Sequence, residues 1–181
     1  MTNQATSTEK EPGMLTGMFT DRESSESAYK SLRDRGYTDD EINVMMSDDT
    51  RNKYYGAGQP DTELGSKAAE GTGIGGAIGG TLGAVIAGIA ALGTNLVLPG
   101  LGLVVWGPLA AALAGAGAGG LTGGLVGALI GAGIPEERAK VYEEGIKNGG
   151  TVFGVKPRSA EDADYFENDW KTNHRGQEIY R

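Results

Sequence analysis

GTGIGGAIGGTLGAVIAGIAALG (residues 71–93) and WGPLAAALAGAGAGGLTGGLVGALIGAG (residues 106–133) carry no Asp, Glu, Lys, Arg or His. The whole uncharged stretch runs from Gly71 to Pro135, between Glu70 and Glu136. Within it glycine returns every fourth residue in two rows: Gly71, Gly75, Gly79 and Gly83, then Gly115, Gly119, Gly123, Gly127 and Gly131. Residues four apart share one face of a helix. Each row is therefore a flat stripe that lets a second helix approach closely. A second small-residue row lies beside each: Gly76, Gly80, Ala84 and Gly88, and Ala112, Ala116, Gly120, Gly124, Ala128 and Ala132. Two flat rows per helix suit two partners, one within the hairpin and one in another copy of the chain. These nine glycines are the candidate packing and oligomerisation residues.

Each of the two segments is long enough for a membrane crossing, which takes about 20 helical residues. Asn95, Pro99, Gly100 and Gly102 place the turn between Thr94 and Gly107. The expectation is a helical hairpin, residues 71–134, that inserts into or contacts a lipid bilayer. Its large apolar residues are few and its glycines many, and glycine costs about 1 kcal/mol per helical position relative to alanine in water. The alternative is a hairpin buried inside a homo-oligomeric scaffold.

Outside this stretch the chain is charged and patterned. Residues 1–12 are small and polar and read as a disordered arm. Met14-Leu15-Thr16-Gly17-Met18-Phe19 is a short apolar run that reads as a first strand. Thr20 or Asp21 then caps a helix over about Arg22–Arg35, with Glu23 in capping-box spacing from Thr20. Ala28, Leu32 and Tyr29 face inward and Gly36 ends the helix. Ile42 to Met46 is a second strand, parallel to the first through a helix-length crossover. Residues 48–66 read as linker, with a helix start near Thr62. Beyond the insertion, Pro135-Glu136-Glu137 opens a helix, Asn148-Gly149-Gly150 ends it, and Thr151–Val155 is a third strand. Ala163, Phe166 and Trp170 mark a short amphipathic helix. Ile179 and Tyr180 offer a fourth strand.

The fold expectation is α/β: a small two-layer β-α-β…α-β domain of ferredoxin-like flavour, discontinuous over residues 13–56 and 135–157. Residues 57–70 form the linker, 71–134 the inserted hairpin, and 158–181 a C-terminal helix and tail.

The stretch FTDRESSESAYKSLRDRGYTDDEINVMMSDDT resembles the N-terminal domain of bacterial general stress proteins. The glycine segment followed by PEERAKVYEEGIKNGGTVFGVKP is similar to the glycine-rich, low-temperature-induced or membrane-associated relatives of that family. The resemblance covers most of residues 14–157. It implies a role in stress tolerance and supplies no catalytic motif.

Signals of chemistry are weak. Gly71–Gly76 and Gly115–Gly120 match G-x-G-x-x-G, but neither follows an apolar strand and no acid lies within the insertion. A four-residue glycine rhythm produces the pattern by itself. Asp39-Asp40-Glu41 and Asp48-Asp49 do not have EF-hand spacing and read as solvated turns. His174 is the only histidine and reads as a surface residue. There is no cysteine. The expectation is therefore no enzyme, no cofactor and no metal. The net charge of −8, with acids exceeding bases on both flanks, argues against nucleic acid. The polar start predicts no secretory signal, and a bacterial cytoplasmic or inner-membrane-associated location.

Overall fold

The computed structural model describes residues 13–55, 64, 95–98, 102–115 and 124–181. The arm 1–12, most of the linker and the row Gly71, Gly75, Gly79 and Gly83 lie outside the described residues.

The first unit is β1 (Leu15–Phe19), α1 (Arg22–Asp34) and β2 (Ile42–Ser47). Asp21 is the N-cap of α1 and accepts a 2.9 Å hydrogen bond from the Ser24 N–H. The Thr20–Glu23 capping box is not used, because the helix starts one residue later and the Asp21 carboxylate takes the Ser24 N–H. Gly36, at φ +85°, turns the chain out of the helix. The last unit is β5 (Thr151–Val155), α6 (Ala160–Thr172) and β6 (Gln177–Tyr180). Ser159 caps α6 by accepting from the Asp162 N–H at 3.1 Å.

The two units interleave. β5 lies between β1 and β2 and is antiparallel to both, so β1 and β2 are parallel across it. β6 lies on the other side of β1, also antiparallel. The order β6-β1-β5-β2 is thus a split pair of β-α-β units. The strand between β1 and β2 comes from beyond the glycine-rich insertion.

The insertion contributes strands as well as helices. β3 (Asn95–Leu98) and β4 (Leu103–Trp106) form a hairpin whose second strand pairs with β2. The sheet therefore has six strands, in the order β3-β4-β2-β5-β1-β6. Residues 94–107 differ from the expected bare turn for a definite reason. The apolar run Leu103–Trp106 finds an open edge on β2, and Asn95–Leu98 then pairs on the outer edge of that strand, so both satisfy backbone groups in the sheet. Residues 48–55 differ as well: α2 (Asp48–Tyr55) replaces the start of the expected linker, with Thr50 and Tyr55 buried.

The expected second long helix, Trp106–Gly133, is also different. Trp106 ends β4, and the described helices are α3 (Pro108–Gly115) and α4 (Gly124–Gly131). In one straight helix their centres would stand about 24 Å apart at 1.5 Å per residue. Instead α3 and α4 pack against each other. Among the described residues no helix is long and apolar enough to cross a membrane.

Strand residues alternate between two cores. Leu15, Phe19, Ile42, Val44, Val104, Trp106, Phe153 and Val155 face α1, α2 and α6, meeting Leu32, Tyr55, Phe166 and Trp170. Met18, Met45, Leu103, Val105 and Val152 face the other way. That second face is covered by α3, α4 and α5 (Glu136–Lys147) through Leu109, Leu125, Leu129, Tyr142 and Ile146. The result is three layers, helix–sheet–helix. The insertion supplies much of the third layer that the two-layer expectation lacked.

Candidate functional site: the glycine face of the insertion

The anchor of the insertion is a buried asparagine near the start of β2. Asn43 donates from Nδ2 to the Gly154 carbonyl at 3.0 Å, across the sheet. Its Oδ1 accepts from the Leu109 N–H at 2.6 Å, at the start of α3. One side chain thus ties β5, β2 and the insertion together, and satisfies an N–H that a helix start leaves without a partner. Beside it, Gly107 passes at φ +94°, so close to β2 that a Cβ would lie 2.2 Å from the Ile42 carbonyl oxygen.

From this anchor α3 and α4 lie over the sheet. Leu125 and Leu129 point into the core. Gly127 and Gly131, four residues apart, lie on the opposite side of α4 and are exposed. A Cβ on either would meet no atom of the described residues within 4 Å. Ile130, between them, is 43% exposed. Gly115 ends α3, while Gly119 and Gly123 lie outside the described residues. Of the nine row glycines, Gly127 and Gly131 therefore form a bare outward face around one large apolar side chain. That arrangement offers close helix packing and carries no acid, base or nucleophile.

Charged and titratable groups gather elsewhere. The Tyr37 hydroxyl donates to Asp162 Oδ2 at 2.7 Å and accepts from the Arg158 N–H at 2.8 Å. Arg35 Nε donates to Asp162 Oδ1 at 2.6 Å. Arg158 stacks over the Tyr37 ring at 4.3 Å and donates to Glu41 at 2.6 and 3.0 Å. Burial, reinforced by Asp162, pushes the Tyr37 phenol up to about 12. Arg158, with help from Thr38, pulls Glu41 down to about 2. Burial of Asp162 acts to raise its carboxyl, but the hydrogen bonds from Tyr37 and Arg35 prevail and hold it below the ordinary value. This network clamps the C-terminal end of α1 to the start of α6.

His174 does not stand alone on the surface, in contrast to the reading from sequence. Its Nδ1 lies 2.7 Å from the Ser27 hydroxyl and its Nε2 lies 2.9 Å from Asp169 Oδ2. No local signal marks this trio, because 147 residues separate Ser27 from His174. Acyl transfer also needs N–H donors aimed at the oxyanion. Ser27 sits mid-way along α1, where the N–H groups are bound in the helix's own ladder. The trio instead docks the turn before β6 onto α1. Arg175 does the same next to it, donating to Ser24 at 3.1 Å and pairing with Asp21 and Glu23.

The acidic clusters have protein partners. Asp39 accepts from the Tyr29 hydroxyl and pairs with Arg33, and Asp48 pairs with Arg51. Tyr55 is buried in the core and Tyr54 packs against it. No protein-family model, curated protein or solved structure matches the chain.

Proposed function

We propose that this protein is a non-enzymatic assembly module. The α/β domain holds the glycine-rich insertion at both ends, and the insertion pairs with the same surface on another copy. The observation that carries this reading is the outward face of α4, with Gly127 and Gly131 bare and Ile130 exposed between them. Flat glycine faces lower the distance between helix axes and add dispersion contacts along their length. The resemblance to bacterial general stress proteins supports a role in stress tolerance, in the bacterial cytoplasm or at its inner membrane, and the excess of acids over bases on both flanks argues against a nucleic-acid partner.

A membrane-associated form of the same reading has its own support, the absence of any charge from residue 71 to residue 94. Its two-span version meets a length limit. Leu64 is buried in the core and Asn95 opens β3, so the ~30 residues between them start and finish on one domain. Two crossings take about 40 helical residues before any turn. The length of the chain therefore favours packing against protein, with lipid contact confined to one surface of the bilayer.

The chain has no cysteine, so Ile130→Cys introduces a single thiol. Assembly about a two-fold axis through α4 brings two such thiols together, and mild oxidation then yields a disulfide-linked dimer. An exclusively monomeric product, with an exposed control such as Lys140→Cys behaving identically, overturns the reading.

A further inference from the structure

A second feature lies at the opposite end of the sheet from the Tyr37–Asp162–Arg158 clamp, where β1 and β2 end. Thr20 follows β1, Ser47 closes β2, and the α5–β5 turn at Asn148–Gly149 lies between them. These three segments bound a crevice at one end of the sheet. Here the crevice is a cleft of about 470 Å³, within the range of small-molecule sites.

Its chemistry is that of a phosphate site. Lys53 from α2 and Lys147 from α5 enter from two sides. Lys53 stands over the Tyr54 ring at 4.9 Å and has no carboxylate partner among the described residues. Lys147 is held by Glu143 at 3.3 Å. The Thr20, Ser47 and Thr50 hydroxyls line the floor, with Ser47 accepting from the Thr50 N–H at 3.0 Å. Asp49 is the one acid of the described lining, so the side chains there sum to a positive charge on a chain of net −8. Lysines act as point charges for phosphate, whereas planar carboxylates favour the arginine fork. No arginine lines the described cleft.

We propose that this cleft binds a small phosphorylated ligand, with Lys53 and Lys147 neutralising the phosphate and the hydroxyls of Thr20 and Thr50 donating to its oxygens. The site is independent of the glycine face and of assembly. Titration calorimetry of the full chain with pyrophosphate and with AMP, at constant ionic strength, tests it, with sodium sulfate and acetate as controls. Saturable binding of a phosphate probe, weakened about tenfold or more in Lys53→Gln and in Lys147→Gln, is expected from the loss of one charged contact each. The amide signals of Gly102 and Gly149 should shift on the same titration, a readout that holds even if a variant folds less well. Absence of saturable binding, equal binding by sulfate, or undiminished binding in the double Lys→Gln variant overturns the proposal.

Discussion

Two kinds of glycine coexist in this chain, and a substitution separates them. Gly107 has a positive φ and no room for a Cβ against the Ile42 carbonyl. Gly107→Ala should cost ~2–3 kcal/mol through backbone strain and clash. Gly127→Ala meets open space and should leave stability unchanged or raise it by up to ~1 kcal/mol through helix propensity. Urea unfolding of both variants, under conditions where the chain is monomeric, checks the pair. From sequence the two are indistinguishable, because the demand on Gly107 comes from β2, some 65 residues earlier. Glu41 makes a second prediction at this scale. Its carboxyl is held at about 2 in the folded chain against an ordinary 4.5. A depressed pKa adds stability that is complete above the unfolded value and is lost as pH falls through the folded one. Stability should therefore fall between about pH 4.5 and 2, and Glu41→Gln should flatten that part of the curve. An unchanged acid limb would show that the Arg158 contact carries no weight.

Among elements, local pattern read well wherever one side of the chain was polar. β1, α1, β2, α5, β5, α6 and β6 all lie where spacing of apolar residues and caps put them, to within about two residues. The uncharged insertion defeated the same method. With no polar face, helix and strand periods cannot be told apart, and the strands β3 and β4 stand where a bare turn between two helices was expected. Small residues also allow a helix to lie on a sheet as readily as in lipid. Asn43 was missed for a related reason: an asparagine in an apolar strand gives no hint of which element it caps. Its removal is the element-scale prediction. Asn43→Ala leaves the Leu109 N–H and the Gly154 carbonyl without that partner in a buried setting. The cost should be ~1–3 kcal/mol, and hydrogen exchange should quicken first in α3. Exchange that quickens equally in α1 would contradict the anchoring role.

At the scale of the whole molecule, the insertion is part of the domain rather than an appendage. Leu125, Leu129 and Leu109 share a core with Met45 and Val152. Trp106 belongs to the insertion and Trp170 to α6, yet both are buried in the same cluster around Phe153. The fold should therefore unfold as one unit. Single-tryptophan variants, Trp106→Phe and Trp170→Phe, should report coincident transitions, and Phe153→Ala should shift both together by ~3–5 kcal/mol. Separate midpoints would mean that the insertion is an independent body. Of the nine row glycines, Gly115, Gly127 and Gly131 are among the described residues, and Gly127 and Gly131 face away from the sheet. What sequence alone could not provide is which side of each helix the sheet would claim, and that decides which glycines are left to a partner. The measurement that tests this most directly is the solution mass of the full chain without detergent, by sedimentation. The account predicts a multiple of 18.7 kDa that falls to the monomer in Gly127→Leu/Gly131→Leu with the domain still folded. A folded wild-type monomer at 18.7 kDa across the micromolar range, or an assembly that the double variant leaves intact, would contradict it.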